Sequence, residues 1–304
     1  CETNMKATDS SRFSFSNFEF FFRKGKNKIS FIFRKTIYKI STVFVIKKCK
    51  HEKIKVKGEM VPVVVSLTSF EPRFKTLHLV LKSLINQKMK PEKIVLYLDE
   101  TVEMNSIPDK IRALEKYGVE IKNSCEDFKC HNKYYYALQD YPDKCVVTVD
   151  DDVIYSKNLI MKLYSSYEKF PDCISAMRTH LVTYDDDGNR KFYNEWKWNY
   201  KKILEPSFKL FPTGVGGVLY PPSIMPEETF NSKVFTDLCL KADDVWLKFN
   251  ELKKGIKTVH VPSLLPSYYL TEASDINNLN SSNVSQGKNN EYIDNCEKYF
   301  SLKL

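Results

Sequence analysis

From residue 61 onward, short apolar runs rich in β-branched residues alternate with segments of helical periodicity, and this alternation constrains the fold more than any other feature. Runs of this length and composition suit buried strands and are too short for helices. Four of them occupy residues 61–67, 93–98, 119–121 and 145–149. After the first run, Leu77, Leu81 and Leu84 recur at helical spacing. Strands joined by helices in this order predict an α/β domain with a mainly parallel central sheet flanked by helices.

The later part of the chain extends this pattern less regularly. Pro91 is expected to mark the exit of the first helix, and Gly118 and Gly255 stand where a left-handed residue ends a helix. The polar composition of residues 271–290 predicts a flexible loop or lid. We expect further helices over residues 106–117, 134–138, 156–170 and 243–254, and strands over residues 174–177 and 218–220.

The basic charge of the chain is concentrated at its N-terminal end. The formal net charge is +9, but residues 1–60 hold 15 Lys or Arg against 5 acidic residues, whereas the remainder holds 32 against 33. A nucleic-acid-binding domain carries its basic excess across its binding face. We therefore expect no nucleic-acid partner, and we divide the chain into a basic N-terminal extension (residues 1–60) and an α/β domain (residues 61–304).

The N-terminal extension is also rich in aromatic residues, among them the cluster Phe18, Phe20, Phe21 and Phe22. No window reaches the ~18 uninterrupted apolar residues that a membrane-spanning helix needs. A basic, aromatic-rich stretch of this kind can lie on an anionic membrane surface. Composition supports equally well a disordered segment or leader, and both interpretations stay open.

The eight cysteines form no Cys-x-x-Cys motif and no pair of Cys/His halves at zinc-ligand spacing. We therefore expect them to be reduced and mostly structural. Cys125, Cys130 and His131 form one loose cluster, but no second half accompanies it, so it indicates a metal site only weakly.

Three consecutive acids, Asp150, Asp151 and Asp152, follow the apolar run at residues 145–149. Open α/β sheets bind their ligands at the carboxyl ends of their strands, which is where these acids fall. Alternate carboxylates on one turn can share a hard divalent cation, and that ion can neutralise a diphosphate. The alternative is a solvated acidic turn. That alternative suits residues 185–187 better, because they precede Gly188 and follow no apolar strand.

The ordered set of motifs over residues 61–262 resembles a family of bacterial GT-A glycosyltransferases associated with capsule or lipopolysaccharide synthesis. Taken singly, each motif is weak; in this order the set is specific. Besides Lys133, its pieces are VSLTSF at 65–70, PRF at 72–74, NQ at 86–87, KIVL at 93–96, YPD at 141–143, TVDDD at 148–152, TGVGG at 213–217, YPP at 220–222 and ADDVW at 242–246.

The resemblance implies a donor-binding site for a nucleotide sugar. Thr68 and Arg73 are expected in the nucleotide pocket, and Arg73 or Lys133 could contact phosphate. The resemblance further implies that Gly216 and Gly217 let the backbone approach the sugar or acceptor closely. The alternative for Arg73 is a surface ion pair. The alternative for the two glycines is an ordinary loop-to-strand turn. Asp150 and Asp151 complete the expected donor site, and Asp150 with Asp152 would hold Mn²⁺ or Mg²⁺.

Asp243 and Asp244 resemble the acidic pair that supplies the general base in inverting enzymes of this family. We favour Asp244 as the base that deprotonates the acceptor hydroxyl. The alternative is that one of the two carboxylates caps the helix that begins there. Both roles are compatible, since one carboxylate can cap while its neighbour catalyses.

The sequence thus predicts a GT-A fold and a metal-dependent, inverting glycosyltransferase. We expect a nucleotide-sugar donor, an oligosaccharide or lipid-linked glycan acceptor, and a cytoplasmic location, peripheral on the inner face of the membrane where the extension binds lipid. A sugar nucleotidyltransferase is one alternative, but it would carry a glycine-rich phosphate loop, and residues 66–74 contain no glycine. The other alternative is a non-catalytic carbohydrate- or nucleotide-binding protein that keeps the fold.

Overall fold

The computed structural model describes residues 28–264, 266–276, 283 and 287–304. Its helices in these ranges are α1 (Lys28–His51), α2 (Phe74–Ile85), α3 (Asp109–Arg112), α4 (Asn132–Asp140), α5 (Leu159–Lys169), α6 (Ser232–Cys239), α7 (Asp243–Lys254) and α8 (Lys288–Phe300). The strands are β1 (Met60–Thr68), β2 (Lys90–Asp99), β3 (Val119–Cys125), β4 (Cys145–Thr148), β5 (Val153–Tyr155), β6 (Cys173–Ala176), β7 (Thr179–Leu181), β8 (Leu210–Pro212), β9 (Val218–Tyr220), β10 (Lys257–His260) and β11 (Tyr268–Leu270).

A seven-stranded sheet with the order β10-β6-β9-β4-β1-β2-β3 forms the centre of the fold. Strand β1 is parallel to β2 and β4, β2 is parallel to β3, and β6 is parallel to β10. Only β9 runs antiparallel to its neighbours, β4 and β6. The predicted α/β class, with a mainly parallel central sheet flanked by helices, is confirmed.

Strand β1 shows why these apolar runs form the interior of the sheet. Val63, Val65 and Leu67 pack into the large core beneath α2 and α5, whereas Val64 joins a separate cluster on the opposite face. Side chains alternate between the two faces of a strand, so a run that is apolar at every position is buried on both sides. This explains the continuous apolar run that begins at residue 61.

Three local expectations need correction. Pro91 lies inside β2, opposite Val61, and the preceding helix already ends at Ile85. Proline is tolerated near the start of a strand, where it removes few ladder hydrogen bonds. The helix expected over residues 106–117 is broken into α3 and two 3-10 turns, although Gly118 does end it with φ +90°. Strand β5, which follows the acids at 150–152, was not predicted and pairs with β11.

Helix α1 lies within the N-terminal extension and packs one face on the domain. Cys49 is buried against Leu79 and Ile154, and the ring of Tyr38 stacks on that of Tyr269 at 6.1 Å. Residues 1–27 lie outside the described residues. Across the part of the chain that the structure covers, no helix combines the length and hydropathy required to cross a bilayer.

The loop or lid expected at residues 271–290 falls partly on residues 277–282 and 284–286, which lie outside the described residues. Before them, Glu272–Asp275 forms a 3-10 turn, and after them α8 packs against α6 and α7. The cysteines whose side chains the structure describes form no disulfide with one another; they are Cys49, Cys130, Cys145, Cys173, Cys239 and Cys296.

Candidate active site

The carboxyl ends of β1 and β4 bring two distant segments together. These strands are parallel neighbours in which Ser66 pairs with Thr148, so residues 68–73 and residues 150–152 emerge at one edge of the sheet. The start of β9 lies beside the end of β4, because Val218 pairs with Thr148 in antiparallel register. The loop before β9 therefore reaches the same edge. This is the edge at which open α/β sheets bind ligands.

A cavity of about 770 Å³ opens at this edge. Its walls include most of the residues that the sequence singled out, drawn from β1, α4, the end of β4, the loop before β9 and the start of α7. The predicted residues that line it are Thr68, Arg73, Lys133, Asp150, Asp151, Asp152, Asp243 and Asp244. One site thus contains both the expected donor-binding set and the expected acceptor-side pair.

Arg73 lies beside two of the three acids. Its Nη1 atom is paired with Asp151 and lies 3.3 Å from Asp152 Oδ2. Ser69 donates a hydrogen bond of 2.6 Å to the second oxygen of Asp151. Burial lowers the pKa of Arg73, but these carboxylates outweigh burial and raise it overall. Arg73 also donates to the carbonyl oxygen of Ile276 at 2.9 Å, which links the site to the segment after β11.

Asp152 is less well neutralised than its neighbour Asp151. Burial raises the pKa of Asp152 to about 7, and the pull of Arg73 in the opposite direction does not offset it. The adjacent Asp151 and Asp150 raise it further. The ionised form of Asp152 is therefore disfavoured unless a further positive charge lies beside it.

Lys133, from α4, connects the two groups of acids. Its Nζ atom lies 2.8 Å from Asp150 Oδ1 and 3.0 Å from Asp243 Oδ2. Burial lowers the pKa of Lys133, but the carboxylates of Asp150, Asp243 and Asp244 raise it well above its usual value. Only 7% of this side chain is exposed, so it is a fixed positive charge inside the cavity wall.

Asp243 and Asp244 form the first turn of α7. The N-cap residue is Ala242 and no side chain caps the helix, so the capping alternative is not observed. Instead, Asp244 Oδ1 accepts the N–H of Gly214 at 3.0 Å across the cavity wall. Burial and the neighbouring Asp243 raise the pKa of Asp244 well above its usual value. Burial also raises the pKa of Asp243, but the effect of Lys133 is larger than that of burial, and the pKa of Asp243 is lowered overall.

The glycine that reaches the cavity is Gly214. A Cβ atom there would lie 2.9 Å from Lys133 Nζ and 3.5 Å from Asp244 Oδ1. Gly216 and Gly217 instead support the loop from behind, since a Cβ on Gly216 would lie 2.8 Å from the Cβ of Arg178, and Gly217 has φ +92°. The glycine of this loop whose backbone lies closest to the charged side chains of the cavity is thus Gly214, and a role of Gly216 and Gly217 beside the sugar or acceptor stays a prediction.

Asp150 and Asp152 are the residues that could hold a divalent metal ion. Both face the cavity, and their side chains are 27% and 14% exposed. Among the described residues, no group of three or more His, Cys, Asp or Glu side chains is arranged to hold a metal. Mg²⁺ commonly takes only one or two carboxylates from the protein and completes its shell with phosphate oxygens and water. Asp152, whose ionised form is disfavoured without a further positive charge beside it, suits an ion of this kind.

The loose Cys125, Cys130 and His131 cluster has a structural explanation. His131 is buried, its Nδ1 lies 2.8 Å from the hydroxyl of Tyr134, and its Nε2 lies 3.1 Å from the carbonyl oxygen of Cys239. Burial lowers the pKa of His131 to about 4, so the ring is neutral. Both ring nitrogens therefore already have protein partners.

The acidic residues 185–187 form the solvated turn that was expected. The side chain of Asp185 accepts the N–H groups of Asp187 and Asn189, and Gly188 has φ +82°. All three acids are exposed. This triplet differs from residues 150–152 in burial, although the two are identical in sequence.

Sequence reasoning missed one wall of the cavity. Arg178, Tyr193, Trp198 and Phe211 line it on the side of the β9 loop. The only signal in the sequence was the irregular, Trp-containing stretch around residues 196–198, which has no periodicity that would assign it to a site. Ser69, the hydrogen-bond donor to Asp151, lay inside a recognised motif but was not assigned a role.

No protein-family model matches the sequence, and no curated protein matches it. Among solved structures, the chain is similar to two of S. aureus TarS, residues 1–349. The first has a TM-score of 0.39 and 13% sequence identity, over 73% of this chain and 63% of that chain. The second, in complex with UDP, has a TM-score of 0.43 and 10% identity, over 70% of this chain and 61% of that chain. This chain therefore spans less than two thirds of the TarS chains it matches.

Proposed function

We propose that the protein is a GT-A glycosyltransferase that moves a sugar from a nucleoside-diphosphate sugar to a hydroxyl group of a glycan, with inversion at the anomeric carbon, in surface polysaccharide synthesis. One observation carries this proposal. The acids at the end of β4 and the acids at the start of α7 face one cavity, and Lys133 lies between Asp150 and Asp243.

The donor half of the site consists of Thr68, Arg73 and the acids at 150–152. In this proposal the guanidinium group of Arg73 and the ammonium group of Lys133 offset negative charge on a diphosphate. Mn²⁺ or Mg²⁺ bound by Asp150 and Asp152 would supply further charge neutralisation to the leaving diphosphate. The hydroxyl of Thr68 donates to the carbonyl oxygen of Tyr97 at 2.9 Å, which fixes the floor of this pocket.

The acceptor half of the site centres on Asp244. Its carboxylate is partly exposed to the cavity, and the N–H of Gly214 holds it at 3.0 Å. Desolvation and the neighbouring Asp243 raise its pKa, which makes it a stronger base than an ordinary carboxylate. In the proposed reaction Asp244 takes the proton of the acceptor hydroxyl as that oxygen bonds to the anomeric carbon. The bond from the anomeric carbon to the diphosphate oxygen breaks at the same time. The nucleoside diphosphate leaves with the bonding electron pair, and Asp244 carries the proton.

The two alternative functions differ from this one in measurable ways. A sugar nucleotidyltransferase would bind a nucleoside triphosphate and release pyrophosphate. A non-catalytic binding protein would bind the nucleotide or the glycan without turnover. The raised pKa of Asp244 beside an acid-lined cavity favours the transferase, because a binding protein gains nothing from a more basic carboxylate and bears its desolvation cost.

The experiment that tests the proposal has two steps. Nucleoside diphosphates are first titrated into the protein by calorimetry with and without Mn²⁺, and slow donor hydrolysis is then screened across a panel of nucleotide sugars. We expect one diphosphate to bind more tightly with Mn²⁺ and the matching sugar donor to be hydrolysed. Binding without turnover in donor hydrolysis and in transfer to glycan acceptors would indicate the non-catalytic alternative. Pyrophosphate release from a nucleoside triphosphate would indicate the nucleotidyltransferase.

We also propose that residues 1–60 attach the domain of residues 61–304 to the inner face of the cytoplasmic membrane. Helix α1 carries seven Lys or Arg and no acid in its sequence. At about 100° per residue, Ile40, Val43 and Phe44 share a face opposite the buried Thr42 and Cys49. These three apolar side chains are 66%, 63% and 65% exposed.

The charged residues around that exposed face indicate what binds to it. Lys39, Lys47, Lys48 and Lys50 are all exposed around the apolar stripe. An apolar stripe flanked by lysines matches the headgroup and acyl boundary of an anionic bilayer, which would also bring a lipid-linked acceptor near the cavity. The contact of Tyr38 with Tyr269 joins the helix to β11, and Tyr268 and Leu270 of this strand line the cavity.

A further inference from the structure

The cavity has a second wall with a chemistry different from that of the acid-lined half. Arg178 follows β6, Tyr193 and Trp198 belong to the excursion between β7 and β8, and Phe211 lies in β8. Tyr193 is 6% exposed and Phe211 is 1% exposed, whereas Arg178 and Trp198 are partly exposed. This wall places one cationic side chain among aromatic rings.

Two neutral side chains orient the guanidinium group of Arg178. Its Nε donates to Asn199 Oδ1 at 2.8 Å, and its Nη1 donates to Thr213 Oγ1 at 3.0 Å. Its Cζ lies 5.7 Å from the centre of the Trp198 ring, a cation–π arrangement. The backbone of the β9 loop approaches closely from the other side, since a Cβ on Gly216 would meet Arg178 Cβ at 2.8 Å. The group is therefore preorganised rather than mobile.

A short chain of hydrogen bonds also connects Arg178 with Asp244, the proposed base. Arg178 is bonded to Thr213, the next residue is Gly214, and the N–H of Gly214 is bonded to Asp244. The cations of the donor half, Arg73 and Lys133, are paired with Asp151 and Asp150 respectively. A ligand that contacts Arg178 would therefore be connected to Asp244 through residues 213 and 214, which is why we assign Arg178 to the acceptor side of the cavity.

We propose that Arg178 and its aromatic surround form an acceptor subsite that recognises an anionic sugar, one that bears a carboxylate or a phosphate group. This inference rests on the proposed function, because it assigns the acceptor of the same reaction. A planar guanidinium group matches two oxygens of a carboxylate or a phosphate, and an aromatic surround that partly excludes water strengthens such a charge-assisted hydrogen bond. Arg178 then sets acceptor specificity, and Tyr193, Trp198 and Phe211 keep water away from the ion pair.

The test measures acceptor binding directly. Methyl glucuronide, glucose 6-phosphate and methyl glucoside are added to the full-length protein, with and without the nucleoside diphosphate that it binds, and binding is followed by saturation-transfer NMR. We expect the wild type to prefer an anionic ligand, and the carboxylate and phosphate arms tell which group fits. Arg178→Gln keeps the Cβ that packs on Gly216 and should weaken anionic ligand binding by about 10–100-fold. Arg178→Lys should restore part of that loss.

Arg112→Gln is the matched control, because it makes the same chemical change outside the cavity, and it should alter nothing. Equal wild-type affinity for charged and neutral sugars would overturn the proposal. So would an equal loss of both ligands in Arg178→Gln, which would indicate a structural role. Weaker nucleotide binding in Arg178→Gln with unchanged sugar binding would move Arg178 to the donor site. Failure of the glycosyltransferase proposal is a separate result, because it would appear as absent nucleotide binding or turnover while selective binding of the anionic sugar persists.

Discussion

The ammonium nitrogen of Lys133 lies 3.0 Å from the carboxylate of Asp243, and so joins α4 to the first turn of α7. The same nitrogen lies 2.8 Å from Asp150 at the end of β4. A single buried cation is therefore shared between the proposed donor half and the proposed acceptor half of the cavity. Loss of its charge would leave carboxylates facing one another with no neutralising partner.

The first prediction is that Lys133→Met strongly destabilises the fold. Breaking a buried ion pair by removing one partner typically costs about 3–5 kcal/mol, because the remaining charges stay buried. Urea unfolding followed by circular dichroism measures this loss. Lys144→Met is the control, since Lys144 pairs with Glu92 at 3.0 Å on the surface and should change stability little. Similar unfolding midpoints for the two variants would mean that Lys133 does not hold the two halves together.

The sequence was sufficient to predict the parts of the fold and site that depend on local patterns. The run at 61–67 and the acids after residue 149 are local signals, and the parallel pairing of Ser66 with Thr148 places them at one edge. Asp244 was assigned through motif resemblance, and the structure places it in the same cavity. In each case a short stretch of sequence carried enough information, because strand burial and strand ends follow from composition.

The remainder depends on contacts between distant segments that have no periodicity. Arg178 reaches the cavity only because Asn199 and Thr213, both far along the chain, orient it. Which glycine approaches the site depends on the 3-10 turn Gly214–Gly216, and the spacing of TGVGG does not reveal it. The face of α1 that remains exposed depends on where Cys49 packs. Composition indicated that this segment is basic and rich in aromatic residues, but it did not indicate which face of α1 packs on the domain.

The second prediction concerns the metal. Asp152→Asn should abolish the Mn²⁺-dependent part of nucleoside diphosphate binding and leave the fold intact, because losing one ligand charge weakens the bound cation. Calorimetry with and without Mn²⁺ measures it. Asp186→Asn, in the exposed turn of residues 185–187, is the matched control and should bind like the wild type. Unchanged Mn²⁺ dependence in Asp152→Asn would rule out this carboxylate as a ligand.

The third prediction tests the close approach of the β9 loop. In Gly214→Ala the new Cβ would lie 2.9 Å from Lys133 Nζ, and this atom cannot retreat without lengthening a contact to Asp150 or Asp243. We expect a fall in transfer rate of about 10²-fold, since a misplacement of this size in an active site costs about that much. Gly188→Ala serves as the comparison. Its φ of +82° makes it strained, but its Cβ meets nothing.

Steady-state rates and melting temperatures together distinguish the two glycine variants. Gly188→Ala should lose about 1–2 kcal/mol of stability and keep its rate. Gly214→Ala should lose rate beyond any loss of stability. A normal rate in Gly214→Ala would show that the loop can shift without affecting Asp244.

The fourth prediction is that α1 binds anionic membranes through its exposed face. Phe44→Glu should weaken co-sedimentation with vesicles of mixed phosphatidylglycerol and phosphatidylcholine by about tenfold or more. The change removes apolar area that the bilayer would bury, and it adds a negative charge that the anionic lipids repel. Phe192→Glu is the control, since Phe192 is 67% exposed and lies on the domain rather than on α1. Binding should also fall with added salt and on pure phosphatidylcholine.

Equal losses in both variants would indicate non-specific adhesion. Self-association without vesicles that disappears in Phe44→Glu would indicate a second copy of the chain as the partner.

The last prediction identifies the base. Asp244→Asn should keep nucleotide binding but slow transfer by about 10²–10⁴-fold, the usual contribution of general-base assistance. The substitution is conservative here, because an Asn oxygen can still accept the N–H of Gly214 and the N-cap of α7 is Ala242. The fold and the loop should therefore be unchanged, and the loss of rate reports the missing proton acceptor.

Asp243→Asn is the paired variant. It removes the charge that faces Lys133 and should lower stability more than Asp244→Asn does. Near-normal transfer by Asp244→Asn with a severe loss in Asp243→Asn, measured at matched folded fraction, would move the base one residue earlier. Near-normal transfer by both variants would refute the inverting mechanism, because neither acid of the pair would then receive the acceptor proton.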